Sequence, residues 1–381
     1  MQDLEGAISE ANERLSKLEK LWPSKESRSL FTPDKILCFV DANEHSSDAI
    51  RISLQLSKEF DTTFSIRSIF DKELLKLADT DLAHLKQSMI EIVKDNLRDT
   101  GLNKGITFLE GDAIESIQRQ LATEYDILVL PVPYHSNLSD HPEAVAMGSL
   151  GEYLVSNIDK PLFLIPEINE RKEDLFSSII IVVSDVSDII QNQNYIRAVS
   201  RNRSHLTFVF LYDAKDIEAL AESSKGIVDA EMVKKRVHAK MEQYGKHTVD
   251  QFGDHIENVE FTIFNGEFSE NIHNLIKEKD ASLMLMILPE NRKGYRFLLF
   301  QDMLRDKKLN LPVMVLRVSK EEKKEEKAVE KFTEIAASEP FAEEKEEEER
   351  EEREEALQEQ EAELEQDDDP SQGEEEHTTE E

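Results

Sequence analysis

Asp126-Ile127-Leu128-Val129-Leu130-Pro131 sets four apolar residues in a row between an acid and a proline. A strand with one wet face alternates apolar and polar side chains, so an unbroken run needs apolar cover on both faces. Parallel sheets flanked by helices supply that cover. Working outward, short apolar runs recur at 35–41, 63–70, 106–109 and 161–165. Stretches with helical period lie between them at 46–60, 72–100, 112–123 and 149–158. This alternation builds a doubly wound, mostly parallel open sheet.

The same order then repeats. Apolar runs fall at 178–184, 206–212, 259–264, 282–288 and 312–318, with helical stretches at 189–201, 228–251, 269–279 and 295–305. Repeats of this length are duplicated domains rather than the units of a solenoid. The expected fold class is α/β: two doubly wound domains, at 31–167 and 175–318, with the polar stretch 167–174 linking them. In front, Leu4, Ile8, Ala11, Leu15, Leu18 and Trp22 form a heptad-like stripe ended by Pro23, so 1–30 reads as an amphipathic helix and linker. That stripe packs on the body or a partner subunit, or forms a coiled-coil contact; the residues leave both open.

Behind the second domain, 319–381 holds 29 acidic against 8 basic residues, a net −21 of the chain's −35, which leaves −14 for 1–318. Over 320–353 this tail reads as a solvated helix supported by Glu–Lys pairs, and after 367 as disorder. It serves solubility or docks a basic partner. The acidic body argues against nucleic acid, which is bound by clustered Lys and Arg displacing counterions. A single cysteine, Cys38, excludes a disulfide framework and suits a reducing compartment; mid-strand, it reads as a small buried apolar side chain. The apolar runs 179–183 and 283–288 fall well short of the about 20 residues of a spanning helix, so no membrane insertion is expected. The amino terminus lacks a basic start and an apolar stretch, and a cytoplasmic location is the expectation.

In a doubly wound sheet, ligands bind beyond the carboxyl ends of the strands, where strand order reverses. The first strand runs into Val40-Asp41-Ala42, and the fourth ends at Pro131, with Gly148-Ser149-Leu150 opening the next helix. A glycine there lets backbone approach a phosphate, and the helix start supplies free N–H groups; Ser149 adds a hydroxyl or simply caps the helix. No phosphate-binding Gly-x-x-x-x-Gly-Lys loop and no dinucleotide Gly-x-Gly-x-x-Gly occurs. Met147 stands where a nucleophile elbow needs glycine. His135, Asp140 and His141 share a loop without a third ligand at metal-like spacing, and His45 reads as part of the first helical turn. No catalytic or metal site is expected, and the chain reads as a non-enzyme.

Ile36-Leu37-Cys38-Phe39-Val40-Asp41 followed by Glu44-His45-Ser46 resembles the opening of universal stress protein (UspA-like) domains. Gly111-Asp112, Tyr125-Asp126-Ile127-Leu128-Val129, Gly148-Ser149 and Lys160-Pro161-Leu162-Phe163-Leu164-Ile165 are similar to that family's later segments, in order. The likeness covers most of 35–166 and, more faintly, 176–318, so the chain resembles a tandem-domain member. The resemblance implies an adenine nucleotide alpha hydrolase-like fold and a role in stress response. It also implies ATP or AMP held by Val40, Asp41, Ala42, Gly148, Ser149 and Leu150, with magnesium undetermined. Because such domains pair, the two halves are expected to form an internal pseudo-dimer through their closing strands; protein partners are expected and a homo-oligomer is allowed.

The departures are specific. Pro131 and Tyr134 stand where ATP-binding members have glycines, and thirteen residues rather than nine separate Tyr134 from Gly148. Proline lacks an N–H, and the tyrosine ring crowds the phosphate path. In the second half Asp185 matches Asp41, while counting back from Pro312 puts Leu299-Phe300 opposite Gly148-Ser149, so that half is expected to be structural. Two function classes follow: a nucleotide-responsive stress protein, or an interaction scaffold using the amino-terminal helix and the acidic tail.

Overall fold

A computed structural model describes residues 31–43, 45–70, 82–102, 104–134, 148–168, 170–183, 186–200, 204–212, 230–266, 268–288, 295–306 and 308–317. The amino-terminal stripe, the acidic tail, the His135–His141 loop and Asp185 lie outside these residues. All described residues belong to one compact unit.

The first half runs β1 (Lys35–Phe39), α1 (His45–Glu59), β2 (Thr63–Phe70), α2 (Leu82–Leu97), β3 (Ile106–Glu110), α3 (Ala113–Thr123), β4 (Ile127–Pro131), α4 (Gly148–Asn157) and β5 (Leu162–Ile165). The second runs β6 (Ser178–Val183), α5 (Val186–Val199), β7 (His205–Tyr212), α6 (Ala230–Gly253), β8 (Asn258–Asn265), α7 (Phe268–Glu278), β9 (Leu283–Leu288), α8 (Tyr295–Leu304) and β10 (Val313–Arg317). The ten strands form one sheet in the order β3-β2-β1-β4-β5-β10-β9-β6-β7-β8. Every pairing is parallel except β5 with β10, where Phe163 faces Met314 across an antiparallel seam. The order within each half reverses at β1/β4 and at β6/β9.

Alternate residues of one strand feed opposite layers of core. Ile36, Cys38 and Val40 join the face covered by α1, α2, α5 and α6. Leu37 and Phe39 join the face covered by α3, α4, α7 and α8. Both layers run unbroken from the first half into the second, so apolar burial, the main favourable term in folding, is shared across the seam. Cys38 is fully buried, and burial pushes its thiol up to about 12, although a hydrogen bond with Ser53 works the other way. A thiol held in that form is not a nucleophile.

The polar stretch between the halves is not a free tether. Arg51 on α1 donates to the Lys172 carbonyl at 3.1 Å and Gln55 to the Glu173 carbonyl at 2.6 Å. Arg171 reaches back to the buried Asp48 carboxylate at 2.9 Å. These contacts hold the connection against α1. On the far side of the same face, Gly245 permits a close approach of α6 to β8: a Cβ there would come within 2.2 Å of the Phe261 ring.

Candidate functional site

The crevice at the β1/β4 reversal is built by three short segments. Val40 and Asp41 extend β1, both fully buried, and Ala42 packs beside Phe70, Leu85 and Met89. The Asp41 carboxylate accepts from the Asn43 N–H and from Asn43 Nδ2, each at 3.0 Å, and from the Ser46 hydroxyl at 2.8 Å. The Asp41 N–H in turn donates to Ser46 Oγ at 2.8 Å. An aspartate that folds back onto the N–H two residues on is a turn-forming device, and here it also fastens the start of α1. The loop itself supplies donors to both carboxylate oxygens.

The second segment follows β4. Val132 N–H continues the ladder to the Ile165 carbonyl at 2.9 Å, and the Val132–Pro133 peptide is cis. Tyr134 then turns back over the strand ends. Its hydroxyl accepts from the Ile69 N–H at 3.1 Å and donates toward the Val40 carbonyl at 3.3 Å. Its ring stands edge-on to Phe39, with centroids 6.1 Å apart. Burial pushes the phenol well above the usual tyrosine range, partly offset by the Ile69 N–H, so this hydroxyl stays protonated.

The third segment is the start of α4. Gly148 has φ +77°, a left-handed conformation that glycine takes without strain. A Cβ on Gly148 would lie 3.4 Å from Pro133 Cβ and 3.8 Å from Tyr134 N. The glycine therefore brings α4 close to the Pro133–Tyr134 backbone. Ser149 occupies the second position of that helix, and Leu150 packs against the α3/α4 face of the core. Val40, Asp41 and Ala42 follow β1, and Gly148, Ser149 and Leu150 open α4, with Tyr134 touching the β1 end through its hydroxyl and the α4 start through its backbone.

Sequence reasoning passed over Ser46 as a site residue, although its position five residues after Asp41, at the first turn of α1, is the signal for this network. The count that placed Phe300 opposite Ser149 is corrected. The connection 158–161 before β5 has four residues, but 305–312 before β10 has eight. The second position of α8 is consequently Arg296, and Phe300 is a buried core residue in the middle of that helix. The first position of α8, matching Gly148, is Tyr295; Asp185 lies outside the described residues.

A separate cluster sits in the second half. His273 Nε2 lies 2.9 Å from Asp306 Oδ2, and Ser269 Oγ donates to the same oxygen. A catalytic relay passes from serine to imidazole to acid, whereas here serine and imidazole both point at the acid. The arrangement ties α7 to the segment after α8. Burial would raise the Asp306 carboxyl, but bonds from Ser269, the Lys308 N–H and His273 outweigh it and hold the group at about 2. A depressed carboxylate contributes stability above its unfolded value of about 3.9, and that contribution is lost as pH falls from about 4 towards 2. Urea midpoints should therefore fall more steeply over that window in the native chain than in Asp306→Asn, and parallel slopes would refute the clamp.

No family model matches the chain, and no curated protein does. Solved structures with a related layout do exist. A universal stress protein from Archaeoglobus fulgidus is 14% identical over 76% of this chain and 100% of its own, with TM-score 0.48. A putative universal stress protein from Pseudomonas aeruginosa is 12% identical over 74% and 93%, with TM-score 0.49. The cytoplasmic domain of a prokaryotic cation chloride cotransporter is 10% identical over 75% and 95%, with TM-score 0.36. Two of these are universal stress proteins. No helix among the described residues is long and apolar enough to cross a membrane, and none of their His, Cys, Asp and Glu side chains group as metal ligands.

Proposed function

We propose that this chain is a universal-stress-like interaction protein without catalytic chemistry, in which Tyr134 fills the ligand crevice of the first half from within. The observation that carries this reading is the Tyr134 hydroxyl between the Ile69 N–H and the Val40 carbonyl. A planar base seated on strand ends is recognised through such main-chain donors and acceptors, with its ring against apolar side chains. Tyr134 brings a planar ring, the edge contact with Phe39 and both hydrogen bonds. Asp41 is meanwhile engaged by Asn43 and Ser46. On this reading the partner-binding work belongs to the amino-terminal stripe and the acidic tail.

A second reading rests on Gly148. Its positive φ and close approach preserve the form of a phosphate-binding helix start, and support ATP or AMP held by Val40, Asp41, Ala42, Gly148, Ser149 and Leu150. Calorimetry of the full chain with ATP and with AMP, each with and without magnesium, separates the two. The interaction-protein reading expects no saturable heat at millimolar nucleotide. Saturable binding that Asp41→Ala abolishes would install the nucleotide reading instead.

A further inference from the structure

A cavity of about 970 Å³ opens beside the segment that links the two halves, at the end of the sheet where β6, β9 and β10 begin. Its volume is that of a small-molecule site, and junctions between halves are where such sites concentrate. One wall is α7. The connection after α8 and the segment that links the halves supply the rest of the lining. Ile168, Leu175, Ile276, Leu311 and Pro312 give it an apolar lining.

The charges on its walls are unequally used. Lys172 pairs with Asp280 and lies 3.9 Å from Glu170, and Arg51 is taken up by Asp48 at 3.4 Å and by the Lys172 carbonyl. Asp306 is saturated by Ser269, His273 and the Lys308 N–H. Lys277 and Lys308 also line the cavity, and among the described residues neither ammonium group has a carboxylate partner. This chain has 81 acidic against 46 basic side chains, so a lysine has carboxylates to spare. Among the described residues, only Glu270, at the α7 start, remains as an unengaged acid on the wall.

We propose that this groove binds a small organic anion, its carboxylate or phosphate group on Lys277 and Lys308 and its carbon skeleton on the apolar lining. Two ammonium groups over an apolar floor match an amphiphilic anion better than a bare ion, because an inorganic ion leaves the floor exposed to water. Charge neutralisation by two lysines at the rim of a low-dielectric cavity exceeds what either contributes on an open surface. The amide side chains of Asn274 and Asn310 stand on the same walls as further hydrogen-bonding groups.

Citrate and 3-phosphoglycerate serve as probes for the carboxylate and phosphate sources, with sodium chloride at matched ionic strength as the control. Each probe is tested by thermal unfolding and calorimetry on the full chain and on K277E/K308E, both positions being exposed enough to tolerate the change. The expected result is a rise in Tm of about 2 °C or more with at least one probe, and a loss of affinity of at least about tenfold in the double variant. A response to 3-phosphoglycerate alone assigns the phosphate source, and a response to citrate alone the carboxylate. No response to either probe overturns the proposal, as does a response that K277E/K308E leaves intact.

Discussion

On the interaction-protein reading, Tyr134→Ala is expected to create adenine nucleotide binding. Removing the ring exposes the Ile69 N–H and the Val40 carbonyl together, a donor and an acceptor left without the phenol beside the Phe39 ring. AMP and ATP then have a planar slot where the phenol lay, and Gly148 still admits backbone close to a phosphate. Affinity for AMP should rise at least about tenfold over the native chain by calorimetry. The same substitution removes a half-buried aromatic and two hydrogen bonds, so a cost of about 2 kcal/mol is expected, below the range for fully buried rings. Tyr134→Phe separates the effects: it keeps the ring, loses the bonds, and should leave nucleotide binding absent. If Tyr134→Ala folds and still ignores both nucleotides, the ring is not what excludes them.

Phe163→Ala is expected to destabilise the whole body rather than one half. Phe163 is fully buried, faces Met314 across the β5–β10 seam, and lies in the core layer that continues into both halves. Truncation of such a ring costs about 3–5 kcal/mol through lost burial and the cavity left behind. Because the seam shares one core, unfolding should remain a single transition with a lowered midpoint. Amide exchange should accelerate in β6 and β9 as well as in β1 and β4. Exchange that accelerates in the first half alone would show the halves to be separately stable units.

Much of the sheet was legible because burial on both faces writes itself as unbroken apolar runs. Ile127 to Leu130 and Leu283 to Leu288 announce central strands, and they pair on both sides. Helix positions followed from the period of their buried faces, as with Ala49, Ile52 and Leu56 on α1. What escaped was everything set by main-chain partners far away in sequence. The Tyr134 hydroxyl meets groups 65 and 94 residues earlier, and no local pattern encodes a bond to a backbone carbonyl. The crowding expected of Tyr134 came from its size alone, not from its bonds. The Phe300 count failed because loop length is weakly constrained by energy: adding a few residues to a connection costs little entropy. The polar stretch 167–174 reads as a linker by composition, yet Arg51, Gln55 and Asp48 hold it down from α1. Polar sequence marks exposure, not freedom.

The antiparallel seam also gives the molecule two unlike ends. β1 begins, and β10 finishes, on the rim opposite the one that carries Asp41, Tyr134 and Gly148. Two strands separate β1 from β10, which sets the point where the chain enters the body about 14 Å from the point where it leaves. The rim where β1 begins and β10 finishes is one pole, while anything seated over the carboxyl ends of β1 and β4 occupies the other. Any conversation between them must travel the length of a strand, about 16 Å for five residues. The seam thus makes the body a spacer as well as a fold.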